Sequence, residues 1–476
     1  MAAEREGDPI TDEQPDLAQD ENAGEAVSVA SVATREVQVG SAPIVSDTPD
    51  EIDEQNRLPF NVVGIGASAG GVEAYIELFD DLPPNTGMAF VVVSHLAADQ
   101  KSHLREILAR HTEMAVEDVE SGMELRPDHV YIMPPRALVR LDRGIFDLGV
   151  PDSDNNAKRV IDSFFHSLAT AQRSRAIAVV LSGMDSDGAI GLRAVKGEGG
   201  ITMVQAPETA QYPDMPRSSI STDHVDIVAP PAEIAVQLAQ LARQLRQTNL
   251  RLLEQGAPVP TEDQHFTRIL TLMRSVSGVD FRLYKPTTIR RRIARRMLLH
   301  RIDTLREYVS FLQSSPNELR ELQEDALINV TRFFRDSEVF DAFENFVLPR
   351  MFEDRDPSLQ VRIWVPGCSS GEEVYSLAMC LLEYLSGNPL EPPIQIFGTD
   401  ASERNIQKAR AAQYPDAITA DVSEERLRRF FSKTEKGYQL AKRVRDLCIF
   451  ARQNLCQDPP FSRMDVISCR NVLIYF

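Results

Sequence analysis

The sequence has no apolar run near the roughly 18 residues that a membrane-spanning helix needs, and its first residues lack the apolar core of a secretory leader. A cytoplasmic protein with no membrane insertion is therefore expected. Cysteine is scarce: the 5 present (Cys368, Cys380, Cys448, Cys456 and Cys469) all fall in the last third, and none form a C-x-x-C pair. That spacing argues against a disulfide framework and against a zinc centre, and no metal is expected. Residues 1–56 hold no aromatic side chain and fifteen Asp and Glu against Arg5 and Arg35, a net charge of -13 that leaves -7 for the other 420 residues. A tail of that composition buries too little apolar surface to offset the entropy of ordering, so 1–56 is expected to be a disordered acidic tail.

What is present supports real cores: a hydrophobic fraction of 43% over 476 residues, enough chain for two or three domains. From Leu58 apolar runs recur at 60–66, 88–96, 129–133, 177–181, 201–205 and 225–229, separated by stretches of helical period. Continuous apolar strands alternating with helices predict a parallel sheet covered on both faces, a doubly wound α/β domain over 57–242. The segment 137–149 reads as an inserted hairpin.

The stretch NVVGIGASAGGV (61–72) reads as strand, tight turn and helix, with Ser68 among Gly64, Gly66, Gly70 and Gly71. Such a turn suits either a dinucleotide phosphate or an exposed nucleophile with backbone donors nearby. The spacing is G-x-G-x-x-x-G, and the second strand ends in His95 rather than in an acid, both of which weigh against a dinucleotide. In doubly wound sheets ligands bind beyond the carboxyl ends of the strands. Ser68, His95 and the pair Asp185 and Asp187 all fall at such ends, as a serine–histidine–aspartate triad requires. A backbone N–H near Met184 or in the Ser68 turn could serve the oxyanion.

GIGASAGGVEA, the SHL segment, YIMPP, LSGMDSDGAIGL and QAPETAQYPDMPRSSI together resemble the catalytic domain of the chemotaxis receptor methylesterases (CheB) over residues 58 to about 235. The resemblance implies that Ser68, His95 and Asp187 are the triad, that the Met184 amide serves the oxyanion, and that glutamate methyl esters on receptors are hydrolysed, with deamidation of receptor glutamines as a second implied reaction. Ala69 stands where the family usually has Thr, and Asp185 where it usually has Gly. The family's receiver domain is replaced by the acidic tail, so phosphorylation control within this chain is not expected.

Residues 232–255 carry helical period, and 243–264 is expected to be a linker helix; 265–345 is helical throughout and forms a small all-helical domain. Its basic piece TIRRRIARRMLLHRI, with Arg290, Arg291, Arg292, Arg295, Arg296 and Arg301, suits an acidic partner or is a solvated face. Without interleaved aromatics it does not point to nucleic acid. A second α/β pattern fills 346–476: VRIWVPGCSSGEEVYSLAM is strand, glycine turn and helix, and IQIFGTDAS is a strand ending in Asp400. Asp400 can accept ribose hydroxyls. NAD fits that plan, but Glu372 and Glu373 would repel a pyrophosphate and suit the charged end of S-adenosylmethionine better.

INVTRFFRD, PGCSSGEEVYSLAM, GTDAS, NLCQDPPF and CRNVLIYF resemble the chemotaxis receptor glutamate methyltransferases (CheR) over about 265–476, with Val374 where the motif has Pro. The resemblance implies a Rossmann-like, S-adenosylmethionine-dependent domain. Its cofactor contacts would be Asn329, Thr331, Arg335, Glu373, Asp400, Asn454, Leu455, Arg470 and Asn471, with Arg335 and Tyr475 bordering the reacting methyl. In that family the basic helix is associated with acidic receptor helices. Family members continue through a further helix and a closing strand pair, so the methyltransferase domain is expected to be truncated at Phe476. The expected protein is a fusion of opposing activities on methyl-accepting chemotaxis-type receptors, with a sensor kinase or response regulator as further partners. The alternative is a receptor-binding scaffold with weakened catalysis.

Overall fold

The computed structural model describes residues 57–95, 103–135, 137–149, 159–255, 264–328, 330–386, 392–435 and 437–476, of which 247–255 as helix without side-chain detail. The expected acidic tail, and Asn329, lie outside the described residues.

The first sheet has seven strands, β1 (Val62–Ala67), β2 (Ala89–Ser94), β3 (Ala115–Asp118), β4 (His129–Ile132), β7 (Ala176–Val180), β8 (Ile201–Gln205) and β9 (Ile227–Ala229), in the order β3-β4-β2-β1-β7-β8-β9. Every pairing in it is parallel. β5 (Leu138–Asp142) and β6 (Ile145–Gly149) form the expected hairpin. Strand β3 was missed because AVED at a sheet edge, partly exposed, has no continuous apolar run.

β1 is buried along its whole length, and its residues alternate between two cores. Val63 and Ile65 face α1 (Gly71–Asp80), with Tyr75 and Leu78 among its core residues. Val62 faces α2 (Val160–Gln172), which brings Phe164, Phe165 and Leu168. Gly64 and Gly66 lie on that second face. A Cβ at Gly64 would stand 2.9 Å from the Phe165 ring, and one at Gly66 would overlap Ile161. Two glycines that read as part of a phosphate loop are therefore glycine because a helix packs against the strand there.

Helix α3 (Ala189–Gly197) follows β7, and a helix of 25 residues, α4 (Pro231–Gln255), leaves the sheet toward the helical region. That region contains α5 (Gln264–Ser277), α6 (Pro286–His300), α7 (Leu305–Ser314) and α8 (Pro316–Ala326) around a core with Phe266, Ile269, Tyr308 and Leu322. Thr304 and Ser315 cap the last two, each accepting the N–H three residues on.

The second sheet is four parallel strands, β10 (Val361–Pro366), β11 (Ile394–Asp400), β15 (Cys448–Arg452) and β16 (Val466–Ile467), in the order β15-β11-β10-β16. Helix α9 (Glu372–Tyr384) follows β10. Between β11 and β15 an antiparallel subdomain is inserted, β12 (Gln413–Tyr414), β13 (Phe431–Thr434) and β14 (Gly437–Leu440), with a short helix at Glu424–Phe430. Among the described residues no helix is long and apolar enough to cross a membrane.

The halves meet through buried charge, and here the structure departs from the expectation for the basic helix. α6 does not offer its arginines to solvent. Arg292, donating to the carbonyls of Lys196 (2.9 Å) and Gly197, caps the C-terminus of α3. Arg295 donates to Gly200 O (2.9 Å) and pairs with Asp226 and Asp325, while Arg296 pairs with Glu318 inside the helical region. Arg290 lies over the Phe266 ring at 4.1 Å. Further contacts between the halves are Arg193 to Glu372 (3.6 Å), Lys408 to Asp223 (2.8 Å) and Arg159 to Thr419 (3.0 Å).

Candidate active sites

Asp187 is buried at the end of the loop after β7. Its carboxylate accepts from the N–H groups of Ile161 (2.9 Å) and Asp162 (2.8 Å) in the first turn of α2, from Gly188 N (2.9 Å), and from His95 Nε2 (2.7 Å). A helix N-terminus thus holds the charge, where orphan N–H groups and the dipole both favour an anion. Burial by itself would lower the His95 pKa. The hydrogen bond and charge of Asp187, with the charge of Asp185 behind them, outweigh it and hold the imidazole above its ordinary value.

Ser68 follows β1 with its N–H on Ser182 O (3.0 Å). Ser182 Oγ donates to Ala69 O (2.9 Å) and accepts from Tyr212 N (3.0 Å), and Gln205 Oε1 accepts from Ser182 N (2.8 Å). Ser182, Gln205 and Tyr212 therefore pin the serine turn; they lie in motif stretches to which no role had been given. Gly70, at φ 68°, makes the bend. Among the described residues Ser68 Oγ makes no hydrogen bond, and His95 Nδ1 is its available nitrogen, since Nε2 is committed to Asp187. Tyr75 holds the end of β2, its OH bonding Val93 O (3.0 Å) and Ser94 Oγ (2.8 Å) next to His95. Met184 is half exposed in the loop after β7.

Asp185 has φ 79°, the left-handed region, and its carboxylate accepts from Ser186 N at 2.7 Å. The departure from the usual glycine thus occupies a glycine-like conformation, at the strain cost of a Cβ but with a local hydrogen bond in return. Asp162, also missed, accepts from Gly191 N (2.7 Å); burial and the neighbouring Asp187 push its carboxyl well above the ordinary range.

A cavity of about 630 Å³ is lined by the Asp185–Asp187 loop. Arg159 lies at its near wall, and the far wall is the antiparallel subdomain of the second half, with Leu427, Arg428, Phe431, Lys433 and Tyr438.

In the second half, Thr331, Arg335, Glu373, Asp400, Asn454, Leu455, Arg470, Asn471 and Tyr475 line one cleft at the carboxyl edge of the sheet. Tyr284, Cys368 and Ser369 line it too and were not anticipated; the helical region closes the cleft with Tyr284, whose ring lies 4.7 Å from Phe476. Asp400 accepts from Ser369 N (2.9 Å) and Ser402 N (2.8 Å), with burial raising its carboxyl. Glu373 accepts from Ser468 Oγ (2.6 Å) and lies 3.5 Å from Arg470, and burial raises it also. Arg470 in turn donates to Arg335 O (2.6 Å) and Asp336 (2.8 Å). Glu372, expected beside the ligand, is turned away to Ser370 and Arg193.

The cleft suits S-adenosylmethionine. Among the described residues Ser369 Oγ is buried in it without a partner, Gly367 bends at φ 68°, and Glu373 and Arg470 bring both charge signs to the cleft for an amino-acid end. Ile328 (φ 44°), Phe334 (φ 49°) and Asp336 (φ 56°) place three non-glycine residues in left-handed conformations around Thr331 and Arg335, the kind of strain that collects at binding loops.

Together the two sites define a protein that joins an esterase-type α/β domain to an S-adenosylmethionine-dependent methyltransferase domain. Residues 63–238 match the CheB methylesterase family, 264–327 the all-alpha domain of CheR methyltransferase, and 329–476 its SAM binding domain. An uncharacterized 104.1 kDa protein of Rhodobacter capsulatus is 36% identical over 391 residues, covering 78% of this chain; the chain spans 41% of that relative's length. A chemotaxis protein methyltransferase of Borreliella burgdorferi is 30% identical, over 45% of this chain and 78% of that protein. A Leptospira interrogans protein provisionally named protein-glutamate methylesterase/protein-glutamine glutaminase is 32% identical, over 40% of this chain and 98% of that protein. The solved CheB methylesterase catalytic domain of Thermotoga maritima is 32% identical, covering 39% of this chain and 100% of that one, with a TM-score of 0.37. The chain belongs to the CheB methylesterase and CheR methyltransferase families, both carried on one polypeptide.

Proposed function

We propose that this protein adjusts the methylation of receptor glutamates in both directions, removing methyl groups at the Ser68 site and adding them at the Asp400 cleft. The observation that carries the first activity is the His95–Asp187 pair at the sheet edge where Ser68 also emerges. In the hydrolysis, Ser68 Oγ attacks the carbonyl carbon of a glutamyl methyl ester while His95 Nδ1 takes its proton. The imidazolium, stabilised by Asp187, returns that proton to the departing methoxide, and methanol leaves. Water then gives a proton to His95 and attacks the acyl-serine, releasing the glutamate carboxylate and restoring Ser68. The Met184 N–H faces the oxyanion.

In the second activity S-adenosylmethionine supplies an electrophilic methyl group. Asp400 would receive the ribose hydroxyls, and Glu373 with Arg470 would hold the amino-acid end. Thr331, Asn454, Leu455 and Asn471 would complete the enclosure. Arg335 and Tyr475 border the approach of the substrate carboxylate, which the cleft must orient and strip of water. The substrates are methyl-accepting chemotaxis-type receptors.

Two measurements test this reading. Methanol release from methylated receptor should disappear in Ser68→Ala, and calorimetric binding of S-adenosylmethionine should disappear in Asp400→Ala. Equal methanol release by wild type and Ser68→Ala would leave the scaffold reading in its place.

A further inference from the structure

The cavity beside the Asp185–Asp187 loop has walls from both halves of the chain. Its volume, about 630 Å³, is that of a ligand site rather than a packing defect. On the esterase side its polar groups are already engaged: Asp187 by His95 and α2, Asp185 by Ser186, and Arg159 by Asp162 (3.3 Å) and Thr419. On the other side Leu427, Phe431 and Tyr438 present apolar surface. Lys433 lies 4.5 Å from the Tyr438 ring and is paired with Asp416. Arg428 is different. It is exposed, its Nε donates to Glu424 O at 3.3 Å, and among the described residues its terminal nitrogens meet no carboxylate. Among the described residues Glu424 is the one wall carboxylate on that side, and it stands in the first turn of its helix, where the N-terminus offsets its charge.

We infer that the antiparallel subdomain of the transferase half is the substrate-discriminating wall of the esterase site. The polypeptide carrying the glutamyl methyl ester lies against Leu427, Phe431 and Tyr438, with Arg428 pairing with an acidic residue that flanks the ester. This rests on the esterase reading of Ser68. It makes the selectivity of one half a property of side chains in the other, which a free-standing esterase domain would lack. Arg428 touches no reacting atom; it is a positioning residue for the chain around the ester.

The test uses the whole chain and three probes: a peptide with Asp and Glu on both sides of a glutamyl methyl ester, the same peptide with Gln at those positions, and N-acetylglutamate γ-methyl ester. Arg428→Glu should raise KM for the acidic peptide about ten-fold, the scale of one reversed partly exposed ion pair. Its kcat, the KM for the Gln peptide, and hydrolysis of the small ester should stay as in wild type. An unchanged KM for the acidic peptide overturns the inference. If Arg428→Glu also loses the small ester, Arg428→Gln decides: a several-fold rise in KM for the acidic peptide alone supports the inference and no change overturns it. Ser68→Ala separates the two levels, since retained hydrolysis of the small ester by that variant refutes the esterase reading itself. Binding of S-adenosylmethionine, whose cleft does not include residue 428, reports on folding in every variant.

Discussion

Val330 packs directly on Gly197: a Cβ at that glycine would overlap Cγ2 of Val330. Gly197 ends α3, which begins two residues after Asp187, and Val330 adjoins Thr331 of the cofactor cleft. Two turns of helix therefore connect the histidine–aspartate pair of one site to the strained segment 328–336 of the other. Gly197→Val should cost about 1–3 kcal/mol by overpacking and weaken binding of S-adenosylmethionine, read by thermal unfolding and calorimetry. Unchanged affinity would show that the contact serves packing alone.

Arg295 and Asp226 are both nearly fully buried and paired, with Lys196 at 3.0 Å from the same carboxylate. Replacing Arg295 by Met leaves Asp226 and Asp325 short of a partner and should destabilise by about 3–5 kcal/mol. Urea unfolding followed by probes in each half should then separate into two transitions.

Burial alone would raise the pKa of Asp226, but Arg295 and Lys196 hold it well below the ordinary carboxylate range. Its folded pKa is below its unfolded one, so its contribution is present above about pH 3.9 and is lost as pH falls through the folded value. Acid unfolding of Asp226→Asn should accordingly show a shallower loss of stability below pH 4 than wild type.

Asp185→Gly removes a left-handed non-glycine residue and one negative charge near His95. It should stabilise by about 1 kcal/mol. Since the Asp185 charge raises the His95 pKa, the acid limb of the esterase pH profile should move to lower pH. A limb that stays in place would mean that His95 is not the group it reports.

Asp187→Asn should lower methanol release by about 10⁴-fold, because an amide cannot hold the imidazolium. It also leaves an NH₂ facing the N–H groups of α2, so unfolding should be measured alongside.

The sequence by itself determined most of the strands and helices and many of the residues that line the second-half cleft, though not Tyr284, Cys368 or Ser369. Continuous apolar strands and helical periods are local signals, and Ser68, His95, Asp187, Asp400 and Glu373 each end or follow a strand whose end can be counted along the chain. Tertiary structure decided the rest. Gly64 and Gly66 are glycine because α2, about 100 positions later, packs on them. Asp187 is held by the N-terminus of a helix 26 residues before it in the chain. The basic helix, expected to face a partner, is spent on carbonyls 95 residues away, because a helix end with orphan carbonyls and a buried Asp226 attract guanidinium groups more strongly than solvent does. No periodicity announces such pairings, since each depends on which surfaces meet after the separate domains have formed.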